Sequence, residues 1–215
     1  MEELLSGYKD FRGGRYAEDA ALYRRLSERG QKPHTLVVAC CDSRVDPATI
    51  FSAGPGQMFV LRNVANLVPP WGSEDSAEIS TAAAVEFAVG TLKVKRILVL
   101  GHGDCGGVKA AIAAAQSGAP VSSGDDNPHV GRWIAPVTDL CRAKAPALAA
   151  AEGDQDRGRL IELETVRYSM SNLMTMPIVS KHVADGSLAL VGAHFEIASG
   201  RLLVWDRASG EFRLA

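Results

Sequence analysis

Two short apolar runs constrain this chain more than any other feature. Thr35-Leu-Val-Val-Ala-Cys-Cys41 and Arg96-Ile-Leu-Val-Leu100 are rich in β-branched residues and have no polar alternation. Runs of that length read as strands buried on both faces, which occur where helices cover a parallel sheet. The segments around them support this. Gln57 to Arg62 reads as another strand, announced by the Gly54-Pro55-Gly56 turn. Residues 74–91 read as a helix with acidic residues in the first turn and Gly90 near the end. A glycine-rich segment, 101–107, leads into an alanine-rich helix. A loop of small and polar residues from Gly118 to Pro128 precedes helical stretches at about 130–150 and 157–176. Ser187–Phe195 and Arg201–Asp206 form a hairpin across Ser199-Gly200.

The expected fold is therefore α/β. It is a mostly parallel central sheet of about five strands with flanking helices and a C-terminal antiparallel hairpin. Residues 1–30 stand outside the alternation. Tyr16, Ala20, Leu22, Tyr23 and Leu26 make an apolar stripe there, and Gly30 closes it as a C-terminal cap would. We expect a helical arm over 1–30 and one α/β domain over 31–215.

Composition bears on function mainly by exclusion. The formal charge is −2 with no basic stripe, so nucleic acid is not an expected partner. No apolar run is long enough to span a bilayer. The acidic start, Met1-Glu2-Glu3, lacks the order of a secretory leader, so a cytoplasmic location is expected. In that compartment the four cysteines, Cys40, Cys41, Cys105 and Cys141, are expected to be buried, metal-bound or catalytic thiols rather than disulfides.

The chemistry collects at two predicted strand ends, where parallel α/β sheets bind their ligands. Cys40-Cys41-Asp42-Ser43-Arg44 follows the first run. In extended chain Cys40, Asp42 and Arg44 share one side and Cys41 the other. Gly101-His-Gly-Asp-Cys-Gly-Gly107 follows the other, and its glycines let His102 and Cys105 turn toward one point. The spacing does not fit a phosphate-binding loop. Two thiols and an imidazole suit zinc. Asp42 is either a fourth ligand or is held off the metal by Arg44 through a charge-assisted fork. Cys141 and Cys41 read as core residues, and Trp71, Trp133 and Trp205 as packing or interface residues. His34 and His129 read as surface or capping residues, and His194 as a satisfied sheet residue.

At these positions the chain resembles the β-class carbonic anhydrases. Cys40, Asp42 and Arg44 match the family's Cys-x-Asp-x-Arg, and His102 and Cys105 match its His-x-x-Cys. Arg62-Asn-Val-Ala-Asn66 is similar to the segment after the family's second strand. The resemblance implies one zinc per chain on Cys40, His102 and Cys105, with Asp42 and Arg44 as gating and catalytic dyad. It implies reversible hydration of carbon dioxide to bicarbonate and a proton by zinc-held hydroxide. It also implies a homodimer or higher even oligomer with the pocket at a subunit interface. Gln31, Phe59 and Val64 fall where plant-like members have pocket residues, Phe87 stands in place of a Tyr, and the Gly106 amide looks like an anion donor. A bicarbonate-inhibited branch has Trp where this chain has Val37, although Arg62 matches that branch. The chain thus resembles the plant-like, open-zinc type. Two other readings keep the fold. One is a zinc hydrolase of carbon disulfide or carbonyl sulfide; the other is a zinc-locked, non-catalytic bicarbonate sensor or interaction protein.

Overall fold

The computed structural model describes residues 1–72, 76–118 and 128–215. Its N-terminal arm is three helices rather than one: α1 (Glu2–Gly13), α2 (Arg15–Glu18) and α3 (Ala20–Arg29). The first break falls at Gly13-Gly14, where two weak helix formers meet. Gly30 ends the arm at φ +74°, a left-handed conformation glycine adopts without strain. None of the three helices carries a buried residue.

Next come β1 (Thr35–Cys40), α4 (Pro47–Ile50), β2 (Met58–Asn63) and a 3₁₀ turn at Val64–Asn66. The helix α5 (Ser76–Glu86) ends in a wider π turn over Phe87–Thr91, so the helix expected at 74–91 changes pitch near Phe87. Its expected start at 74–75 lies outside the described residues, as does most of the 118–128 loop. Then follow β3 (Arg96–His102), α6 (Gly106–Ser117), α7 (Pro128–Ala143), α8 (Ala145–Ala150) and α9 (Asp154–Thr175). A further helix, α10 (Pro177–Ala184), follows directly on the helical stretch expected at 157–176. Pro177 occupies its first turn, where a missing N–H costs nothing. The chain closes with β4 (Ala189–Glu196), β5 (Arg201–Asp206) and β6 (Glu211–Leu214).

The described residues form a six-stranded sheet of order β2-β1-β3-β4-β5-β6. The first four strands are parallel, and the last two are antiparallel additions. The expectation of about five strands missed β6. That strand is four residues long and packs through Phe212 on Trp205, with ring centroids 5.2 Å apart. Strand order reverses at β1: the chain steps to β2 on one side, then to β3 on the other. The crevice beyond the carboxyl ends of β1 and β3 is thus the switch point where such sheets bind ligands.

β1 is the centre of the core, with Leu36, Val37, Val38 and Ala39 fully buried. Leu36 and Val38 pack with Ile97 and Val99 against Val85, Val89, Leu173 and Val179. Val37 and Ala39 pack with Leu98, Leu100 and Ala193. Each such side chain contributes about 1.5–3 kcal/mol by leaving water. Two glycines set how near α9 comes to this sheet. A Cβ on Gly101 would lie 2.6 Å from a Val166 methyl, and one on Gly192 would collide with the Met170 sulfur. Only glycine fits under the helix at these two places, and that close approach matters for the site.

Candidate metal centre

Cys40 is the last residue of β1, and His102 the last of β3. Cys105 caps the N-terminus of α6. The turn that joins the last two passes through Asp104 at φ +61°, an L residue in the left-handed region. The result brings the two cysteine sulfurs and an imidazole nitrogen within 4.8 Å of one another. That is close to the span of ligands set about 2.0–2.3 Å from one ion. All three side chains are at most 5% exposed.

The donor set fits a soft divalent cation. His102 Nδ1–H donates to the Gly103 carbonyl at 2.8 Å. Its Nε2 is buried and has no hydrogen-bond partner among the described residues. An imidazole so fixed offers its other nitrogen as a lone pair, the usual state of a metal-binding histidine. The two thiols lie against each other, and this contact holds the Cys40 thiol below its ordinary range and pushes that of Cys105 above it, with nearby His102 also lowering Cys40. Backbone amides of Asp42 and Ala65 also donate to the Cys40 sulfur, and those of Val108 and Gly107 to Cys105. Donors of this kind stabilise thiolate charge.

Asp42 is turned to Arg44 rather than to this cluster. Its Oδ1 accepts from Arg44 Nε at 2.9 Å and its Oδ2 from Nη2 at 2.7 Å. The Arg44 backbone N–H donates to Oδ1 as well, at 2.9 Å. The pairing is therefore a tight local turn, not the strand alternation expected from the sequence, since β1 ends at Cys40. The guanidinium holds the Asp42 carboxyl far below the usual carboxylate range. Arg44 Nη2 also reaches the Asp104 carbonyl at 3.1 Å, tying the two ligand-bearing loops together.

The expected pocket residues separate into two groups. Val64 lies beside the cluster: a Cβ on Gly107 would approach its methyl to 2.9 Å. Trp133 Nε1–H fixes Val64 by donating to its carbonyl at 2.8 Å. Gly106 opens α6 next to Cys105. Phe59 and Phe87 instead pack on each other, with centroids 5.8 Å apart. Phe59 is in register with Leu36, four residues behind the Cys40–Asn63 rung and so about 13 Å back along the sheet. Gln31 lies exposed between α3 and β1.

Two residues near the ligands act through backbone atoms, in roles that a side-chain pattern does not reveal. Arg62 braces the first loop, donating from Nε to the Cys40 carbonyl at 2.9 Å and from Nη2 to the Asp42 carbonyl at 2.7 Å. Glu162, on α9, accepts the Cys105 backbone N–H at 3.1 Å. His194 stays outside the ligand cluster and pairs with Glu162. Of the other cysteines, Cys141 is 1% exposed, and burial raises its thiol to about 11. Cys41 is exposed, against the expectation that it is core. A maleimide titration of the native protein should thus modify Cys41 quickly and spare Cys141. Equal labelling of both would show that the core around α7 does not shield Cys141.

Known proteins of one family resemble this chain. The family model for carbonic anhydrase matches residues 35–202. Beta carbonic anhydrase 3 of Arabidopsis thaliana is 33% identical over 212 residues, covering 96% of this chain and 77% of the relative. The solved structure of the β-carbonic anhydrase CcaA superposes with a TM-score of 0.88 at 30% identity, over 100% of this chain and 92% of that one. A tetrameric β-carbonic anhydrase from Sordaria macrospora gives 0.81 at 30% identity, over 94% and 95%. The chain belongs to the β-class carbonic anhydrases.

Proposed function

We propose that this chain is a zinc enzyme that interconverts carbon dioxide with bicarbonate and a proton, holding one zinc on Cys40, His102 and Cys105. One observation carries the reading: three buried soft ligands converge at the sheet's switch point while Asp42, the nearby carboxylate, is engaged by Arg44. Zinc bound there would make hydroxide available near neutral pH by lowering the pKa of its water. The chain's own residues do the rest. Asp42, ionised and aimed by Arg44, accepts a hydrogen bond from the nucleophile and so orients it. The Gly106 N–H, at the start of α6, donates to the anion that forms, where the helix dipole favours negative charge. Val64 supplies an apolar wall for carbon dioxide.

The test is stopped-flow hydration of carbon dioxide by zinc-loaded protein, with and without prior chelation. Acceleration that disappears on chelation and returns with zinc is expected. A fully metallated protein that gives none would overturn the reading.

Gln31, Phe59 and Phe87 act in this reading on the site of a second copy. They lie off their own chain's ligand cluster, and Phe87 is 45% exposed. The arm over 1–30 presents Leu4, Leu5, Tyr8 and Phe11 to solvent, a stripe that a partner would cover. The Sordaria macrospora relative is described as tetrameric, which fits an even oligomer built from dimers. Light scattering should give an even multiple of the 22.8 kDa chain. Deleting residues 1–13 should lower both mass and activity, and a fully active monomer would refute the shared pocket. We place the enzyme in the cytoplasm, because its four cysteines are unpaired and one is exposed.

The same reading excludes cooperative inhibition by bicarbonate. Val37 is fully buried in the sheet, and Arg62 is committed to two backbone carbonyls. Initial rates against bicarbonate should fall hyperbolically, and a sigmoidal fall would contradict this.

A further inference from the structure

We propose that Glu162 is a positioning residue for the ligand Cys105, and that His194 orients Glu162. The inference rests on the metal centre above and extends it to two residues outside the ligand motifs.

Glu162 lies mid-helix on α9 and is 4% exposed. A carboxylate buried to that degree is costly unless its oxygens are satisfied, and an apolar residue of similar volume would pack there more cheaply. Both oxygens are used. Oε1 accepts the Cys105 N–H at 3.1 Å, and Oε2 accepts from His194 Nε2 at 3.0 Å. The Cys105 amide needs this partner. Cys105 is the N-cap of α6, so the helix makes no use of its N–H. Without Glu162 the amide of a 2% exposed ligand residue would be buried and unpaired. Fixing the amide fixes the direction in which the Cys105 side chain leaves the backbone.

His194 has no other task in the described structure. It is 1% exposed, sits opposite Gly101 on β4, and its Nδ1 has no hydrogen-bond partner among the described residues. Its one hydrogen bond among them goes to Glu162, which sets the rotation of that carboxylate. The glycines under α9 complete the arrangement. A side chain on Gly101 would collide with Val166, pushing the helix away and Glu162 with it. Outer residues that orient metal ligands typically account for about 10–100-fold in metal affinity.

The test uses cobalt(II) as probe, with chelator competition for affinity, the thiolate-to-cobalt absorption band for geometry, and the melting temperature for folding. Wild type should show the band, and Cys40→Ser should not. Glu162→Ala should bind cobalt about 10–100-fold more weakly and with a shifted band. Glu162→Gln keeps an oxygen for the Cys105 amide and should return to within about threefold of wild type. His194→Phe keeps an aromatic ring, removes the hydrogen bond and should fall between the two. A purely structural role would lower the melting temperature of these variants while leaving cobalt affinity and band unchanged, and that result overturns the proposal. If Glu162→Ala does not fold, His194→Phe decides: weakened cobalt binding with a shifted band supports the proposal, and wild-type binding overturns it. A wild type with no thiolate band would overturn the metal centre itself, a failure distinct from that of Glu162 alone.

Discussion

Cys40→Ser should leave the protein folded but with less than about a tenth of its zinc, and with no measurable carbon dioxide hydration. The size of the loss follows from what is removed. Disturbing an outer partner of a ligand costs about 10–100-fold in affinity, and here the ligand itself goes. A serine hydroxyl is a poor substitute, because it does not ionise at neutral pH, whereas Cys40 is already drawn toward the thiolate by Cys105 and two backbone amides. Cys41→Ser and Cys141→Ser are the controls and should keep one zinc each. Cys41 is exposed beyond the end of β1, and Cys141 is buried on α7 outside the ligand cluster. Metal analysis by mass spectrometry after gel filtration reads all three variants. Zinc loss in Cys41→Ser equal to that in Cys40→Ser would contradict the placement of β1.

Arg44→Ala should keep its zinc and fold normally while losing about tenfold or more in hydration rate, and Asp42→Ala should lose about a hundredfold, in the range of a positioned proton acceptor. The two variants separate aim from charge. Arg44 depresses the Asp42 pKa chiefly through its side-chain hydrogen bonds, so the pair stabilises the fold at any pH above the ordinary carboxylate value of about 3.9. That stability is lost only as pH falls below it toward the depressed native value. Between about pH 6.5 and 9, Asp42 is therefore ionised with or without Arg44. What Arg44→Ala removes there is two of three contacts that aim the carboxylate. An aspartate so loosened can also swing toward the metal and compete with water. The pair is exposed on its Arg44 side, so its loss should leave the melting temperature nearly unchanged. Wild-type activity should itself climb through the mildly alkaline range, because two thiolates offset the metal's charge and make it a weaker acid than three neutral imidazoles would. The measurements are zinc content, melting temperature and hydration rate across that window. An Arg44→Ala protein as active as wild type throughout would show that Asp42 needs no such support.

The sequence makes the centre legible because each ligand sits within a few residues of a strand end, and strand ends announce themselves by apolar runs that stop abruptly. Cys40, His102 and Cys105 could be brought together on that basis. The Asp42–Arg44 pair was legible for a different reason than the one that operates. Alternation in extended chain suggested it, while a turn after Cys40 makes it. Glu162 was out of reach. It acts through the backbone of Cys105, 57 residues away, and a backbone N–H leaves no trace in a pattern of side chains. Arg62 stood in the segment that resembles the family, but its bracing of two carbonyls leaves no trace there either. At the chain's end, β6 is too short for periodicity to register, and Pro177 signals a stop as readily as the start that it is.

Because β1 and β3 are hydrogen-bonded neighbours, with Ala39 opposite Leu100, the bite of the metal centre is set by the rungs of a ladder. Adjacent strands lie about 4.8 Å apart whatever they carry at their ends. Cys40 and His102 therefore end neighbouring strands one register step apart, on a spacing that the hydrophobic core maintains. On the proposed reading the polypeptide assembles the cage, and an ion would enter a shape already made. Unlike a zinc finger, whose chain is unfolded without metal, this protein should survive chelation as an intact scaffold that regains its chemistry as fast as an ion can be delivered.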